Sequence, residues 1–90
     1  MFTSPARAGE VAGHLLLTWP GGQETRTDVN YACYEVQPAG NTTISNGLVR
    51  AKITVWKGPD CYGGYYDKEV HRDETHTYPH AASYQVLPSR

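Results

Sequence analysis

The sequence predicts an all-β fold, a sandwich of about seven short strands, and three observations carry that expectation. Tyrosine occurs seven times against a single Phe and a single Met, alongside many Thr and Val, and such residues suit a pleated surface. Nine glycines and six prolines in 90 residues place a turn signal every few positions. No window of useful length shows helical periodicity, whereas several alternate with a period of two. Ninety residues make one domain, and a chain this short buries only about 60–65% of the surface its unfolded form exposes. Its core is therefore thin, and a cross-link would help it. Cys33 and Cys61, the two cysteines of the chain, suit one disulfide better than two free thiols in so small a β domain.

Taken in order, residues 1–12 carry no clear period and are broken by Pro5 and Gly9, which reads as an N-terminal arm of partial order. The domain proper is expected over residues 13–88. His14 to Trp19 (HLLLTW) is a short apolar strand ended by the turn signal Pro20-Gly21-Gly22. Gln23 to Val29 reads as its partner. Tyr31 to Val36 (YACYEV) alternates, with Tyr31, Cys33 and Glu35 on one face and Ala32, Tyr34 and Val36 on the other. Gln37 to Thr43 reads as a polar loop. Leu48 to Trp56 (LVRAKITVW) is the strongest strand, with Val49, Ala51, Ile53 and Val55 on one side and Arg50, Lys52, Thr54 and Trp56 on the other. Lys57-Gly58-Pro59-Asp60 is a turn, Tyr62 to Val70 returns, His71 to Pro79 reads mostly as loop, and Ala81 to Leu87 is the last strand, stopped by Pro88. The shared order of turn, strand, polar loop and strand in the two halves suggests two Greek keys.

Charge and hydropathy exclude several classes. The formal net charge is −1 and the basic residues form no run, so nucleic acid and anionic membrane surfaces are not expected partners. No apolar stretch approaches the ~20 residues of a membrane-spanning helix. Asn41-Thr42-Thr43 is a glycosylation sequon whose setting beside Pro38, Ala39 and Gly40 reads as an exposed loop, making Asn41 an acceptor candidate. With the cysteine pair it points to secretion, the chain reading as a mature form whose leader is lost or omitted. A cytosolic protein with two reduced cysteines is the competing reading.

From Cys33 to Leu87 the chain resembles the βγ-crystallin superfamily, in particular small secreted single-domain proteins of microbes, including filamentous fungi. Three stretches carry the resemblance. Trp56-Lys57-Gly58-Pro59-Asp60-Cys61-Tyr62-Gly63 is similar to the family's folded hairpin: an aromatic, four spacers, a second anchor, one spacer and a glycine. Ala82-Ser83-Tyr84-Gln85-Val86 is similar to the serine-bearing strand that closes a Greek key, and Cys33-Tyr34-Glu35-Val36 to a Cys-Tyr strand whose sulfur pairs with the hairpin cysteine. The resemblance implies a Greek-key β-sandwich, structural roles for Trp56, Gly63 and Ser83, and a Cys33–Cys61 disulfide closing a loop of about 29 residues, worth about 3–4 kcal/mol by chain entropy. The segment around Trp19-Pro20-Gly21-Gly22 lacks the hairpin pattern, so the first Greek key departs from the family. An unrelated disulfide-linked sandwich is the alternative.

Candidate chemistry is sparse. Many βγ-crystallins bind calcium through two Asn/Asp, two spacers and Ser/Thr-Ser. Asn41 to Asn46 keeps only the first and fifth of those positions and Tyr78 to Ser83 only the last, with no carboxylate in either, so the site reads as degenerate and no cofactor is expected. Asp67, Glu69, His71 and Asp73 would share one face of a strand and are weak metal candidates, but charged residues protecting an edge strand explain the same pattern. No nucleophile elbow, phosphate loop or HExxH is present, so no catalytic residue is assigned and an enzyme is not expected. Tyr62, Tyr65 and Tyr66 flank Gly63-Gly64 and suit a contact surface. Alternation allows at most one of Tyr65 and Tyr66 to be core. The expected function is that of a small secreted binding protein, effector-like or antimicrobial and killer-toxin-like, with an unknown protein or cell-surface target. The alternatives are an inert structural or stress-related domain and a secreted hydrolase (protease) inhibitor with a reactive loop at Gln37–Thr43 or His71–Pro79.

Overall fold

Alternating apolar side chains draw strands on to both sides of one core. The computed structural model describes residues 10–89; most of the expected N-terminal arm, residues 1–9, lies outside them. Seven strands follow: β1 (Glu10–Val11), β2 (Gly13–Trp19), β3 (Gly22–Arg26), β4 (Val29–Asn30), β5 (Cys33–Leu48), β6 (Ala51–Trp56) and β7 (Thr75–Pro88), with one 3-10 turn at Pro59–Cys61. β1 and β4 form a small ribbon, and the other five make one antiparallel sheet in the order β3-β2-β5-β7-β6. The fold is all-β, with one disulfide joining Cys33 to Cys61.

β5 and β7 organise the sheet. One half of β5 (Thr43–Leu48) pairs with β2, while Cys33–Glu35 pairs with Ser83–Gln85 of β7, whose far side holds β6. Register shifts on either side of Gly40 allow β5 to bend between these halves. Leu15 and Leu17 of β2, Ile44 and Leu48 of β5, Ile53 and Val55 of β6, and Tyr84 and Val86 of β7 therefore meet in one buried cluster. Asn46 ties the halves together from within. Its buried amide donates to the carbonyls of Ala51 (3.0 Å) and Val70 (2.9 Å), and its Oδ1 accepts the Leu48 N–H (2.9 Å). A buried amide is tolerated because its polar atoms are satisfied in this way.

Several expected boundaries move. Gln37–Thr43 is not a loop but the bulged middle of β5, because Thr42 turns inward and Gly40 takes φ 134°. Leu48–Trp56 is two elements. Arg50 adopts φ 63°, and the Val49-Arg50 turn sends the chain from β5 to the opposite half of the domain, so Leu48 ends β5 and Ala51 begins β6. β7 starts at Thr75, inside the expected His71–Pro79 loop. Its outward Thr75 and Thr77 hydroxyls pair with Ser45 and Thr43, each at 2.8 Å. Tyr62–Val70 does return antiparallel to β6, through the isolated bridges Trp56↔Tyr65 and Ile53↔Val70 rather than as a full strand. Trp19-Pro20-Gly21-Gly22 is a plain two-residue hairpin closed by the Trp19↔Gly22 pair.

Candidate functional site: a clasped hairpin and its aromatic groove

Alternation gives the β6–β7 half of the sheet an outer face. Thr54 and Gln85 stand opposite each other across the two strands, as do Trp56 and Ser83, and Cys33 and Glu35 of β5 continue that face beyond β7. The chain from Lys57 to Cys61 folds back on to it. Asp60 and Cys61 both take left-handed backbone conformations, φ 59° and 54°, which cost a residue with a Cβ about 1 kcal/mol or more each.

Three side chains hold that turn down. The Ser83 hydroxyl accepts the Cys61 N–H (2.8 Å) and donates to the Gly58 carbonyl (2.6 Å). The Glu35 carboxylate accepts the Asp60 N–H (2.9 Å), and the Cys33–Cys61 disulfide adds a covalent tether with Cα atoms 6.1 Å apart. The glycines make the fold-back possible. A Cβ at Gly58 would collide with the Tyr62 carbonyl oxygen, and Gly63 sits at φ 88° with the Gly58 Cα 3.2 Å from where its Cβ would lie.

Past the clasp, the chain covers the free edge of β6. Lys57 N–H bonds the Gly64 carbonyl, Tyr66 N–H the Val55 carbonyl, and Ile53 and Val70 exchange both bonds, at 2.8–3.0 Å. This separates the two neighbouring tyrosines. Tyr66 is half-buried against the core, its ring centroid 5.0 Å from that of Tyr78, its hydroxyl accepting the His80 N–H (3.0 Å) and the Lys57 ammonium 4.9 Å from its ring centroid. Tyr65 is 57% exposed and meets the Trp56 ring edge-on at 5.1 Å. Tyr62, 78% exposed, projects from the hairpin. Tyr66 is thus the core-side residue and Tyr65 the surface one.

Between the covering segment and the strands runs an open groove of about 460 Å³, lined by Thr54, Trp56, Tyr65, Asp67, Glu69 and Gln85, with Tyr66 and Leu87 completing it. Glu69 is engaged: Lys52 lies 3.5 Å and His71 3.4 Å from its carboxylate, and the Thr54 hydroxyl donates to it at 3.3 Å. The indole N–H of Trp56 is shielded from solvent and has no acceptor in the protein.

The expected residues are therefore partly gathered. Trp56, Tyr65, Tyr66, Asp67 and Glu69 meet in the groove. His71 reaches it only through Glu69, and exposed Asn41 lies outside it on the bulge of β5. Asp67, Glu69, His71 and Asp73 do not share a strand face, since no strand runs through them. Among the described residues no group of three or more His, Cys, Asp or Glu is placed to hold a metal ion. Of the two calcium-like stretches, Asn46 spends its amide on backbone groups and Ser83 its hydroxyl on the hairpin. Glu35, Thr54 and Gln85 were missed as site residues. Position i+2 from Cys33 was the available signal for Glu35, and the outward face of the strand ending at Trp56 was the signal for Thr54.

Comparison of the chain with models of known families, with curated proteins and with solved structures returns no match. What fold and site define is a disulfide-clasped all-β domain with an aromatic surface at one hairpin. No helix among the described residues is long and apolar enough to cross a membrane.

Proposed function

We propose that this is a small secreted binding protein of βγ-crystallin-like, Greek-key build, effector-like or toxin-like in action, whose contact surface is the hairpin bearing Tyr62 and Tyr65. The observation that carries the reading is two highly exposed tyrosines, at 78% and 57%, on a turn fixed by a disulfide, a serine and a glutamate. Large aromatic side chains are costly to leave in water and supply most of the energy at contact surfaces. A turn already rigid before binding loses little entropy when it docks. The disulfide is consistent with an extracellular setting. The βγ-crystallin-like build is supported by Ser83 bonding the folded turn, by the positive φ of Gly63 and by Trp56 standing opposite Ser83 where the turn begins.

The test is binding of fluorescently labelled protein to intact cells, microbial and host, scored together with growth inhibition and host response. Saturable surface binding that drops in a Tyr62→Ala/Tyr65→Ala variant of unchanged melting temperature supports the reading. Binding to no cell surface, or binding indifferent to both tyrosines, refutes it.

A further inference from the structure

The groove beside the hairpin narrows the class of partner, on the reading that the protein acts by binding. We infer that it is a subsite for a neutral pyranose glycan, with Tyr65 as the stacking platform and Gln85, Thr54 and Asp67 as hydrogen-bonding partners of the sugar hydroxyls.

Each competing ligand meets a physical obstacle. An extended peptide would need an unpaired strand edge, but the edge of β6 is already bonded to residues 64–70. Phosphate-bearing ligands meet the carboxylates of Asp67 and Glu69 in the lining, which holds no lysine or arginine, and Lys52 beside it is paired with Glu69. A bare metal ion finds no cluster of three or more acidic, histidine or cysteine side chains among the described residues. A purely apolar ligand would strip water from Asp67 and Gln85 without replacing their hydrogen bonds.

A pyranose escapes these obstacles. One face of the ring is C–H and packs flat on an aromatic ring, and its rim is hydroxyl, each group both donor and acceptor. Tyr65 offers its ring to solvent while Trp56 supports it edge-on at 5.1 Å. Thr54 and Gln85, directly opposite on β6 and β7, set a hydroxyl and an amide on the floor. At about 460 Å³ the groove falls within the roughly 300–1,000 Å³ typical of small-ligand sites.

The test uses the full chain carrying Trp19→Phe, which leaves Trp56, inside the groove, as the sole fluorophore of its kind. It is titrated with soluble tetrasaccharides of β-linked glucose, β-linked N-acetylglucosamine and mannose. The expected result is a saturable change in Trp56 emission with at least one sugar, in the micromolar-to-millimolar range, weakened about tenfold or more by Tyr65→Ala and by Gln85→Ala. No saturable change with any sugar, or binding indifferent to both substitutions, overturns the inference. Cell binding separates this failure from failure of the broader reading. Surface binding that survives periodate but is lost after protease treatment overturns the glycan assignment and leaves a protein partner. Absence of both sugar and cell binding removes both readings.

Discussion

Ser83→Ala removes one oxygen and tests whether the hairpin is held down as described. The residue is fully buried, and its hydroxyl both accepts the Cys61 N–H and donates to the Gly58 carbonyl. Losing a hydrogen bond while stranding its partner costs about 1–3 kcal/mol when the partner is shielded from water. Both partners here are backbone groups of a turn containing two left-handed residues, and one of them gains partial access to water when the turn loosens. The expected loss is about 2–3 kcal/mol, a large share of the roughly 5–10 kcal/mol that holds a domain of this size, and it lowers the melting temperature by roughly 10–20 °C. Urea unfolding followed by circular dichroism, with Ser45→Ala as control, reads this directly. Ser45 makes only an exposed hydroxyl pair with Thr75, so its loss stays within about 0.5 kcal/mol. A Ser83→Ala protein as stable as the Ser45→Ala control refutes the clasp. A Glu35→Ala/Ser83→Ala cycle should show coupling of at least about 0.5 kcal/mol, because both residues bond adjacent amides of one turn.

Other outcomes follow from the same contacts. Reduction of Cys33–Cys61, which spans 28 positions, should remove about 3–4 kcal/mol by the chain-entropy model, and coincident thermal melts with and without reductant would contradict it. Asn46→Ala removes three buried hydrogen bonds at once, those to the Ala51 and Val70 carbonyls and the one from the Leu48 N–H, and should cost about 3 kcal/mol or more, read by urea midpoint or, if folding fails, by loss of signal dispersion in NMR. Burial pushes the hydroxyls of Tyr78 and Tyr84 up to about 12, with the Glu74 and Glu69 carboxylates adding to the effect at Tyr78. Both are bound more tightly as protons in the folded state than in the unfolded one, so their contribution is intact below pH 10 and lost as pH rises towards 12. Absorbance titration should therefore show Tyr78 and Tyr84 ionising late and together with unfolding, and ionisation of these two near pH 10 in folded protein would contradict it.

How much of this was readable in the chain depended on whether the signal was local. β2 and its hairpin were legible because HLLLTW runs straight into Pro20-Gly21, and β6 because Ala51, Ile53 and Val55 alternate with polar partners. The middle of β5 and the start of β7 were not. Their outward positions are the hydroxyls of Thr43, Ser45, Thr75 and Thr77, which bond one another across the strands, and taken singly such residues look like loop. The Val49-Arg50 turn was hidden because it uses a left-handed arginine in place of Gly or Pro.

Within the site, Trp56, Cys61, Gly63 and Tyr65 were visible through the spacing of one hairpin. Gln85 was not, because its membership depends on a pairing between residues about 30 positions apart, Thr54↔Gln85; Glu35 shares a face with Cys33, and only its pairing with Ser83 carries it to the turn. The Asp67, Glu69, His71 and Asp73 pattern misled for the opposite reason: alternation in sequence means a shared face only where a strand forms.

On the proposed function, a pre-fixed hairpin presents its aromatic rings for binding. That reading is tested most directly by measuring the affinity of the wild-type protein and of Tyr65→Ala for the same cell surface, with the melting temperature of each. The substitution should lower affinity about tenfold or more at an unchanged melting temperature, since Tyr65 is more than half exposed and contributes little to the core. Equal affinities would contradict it.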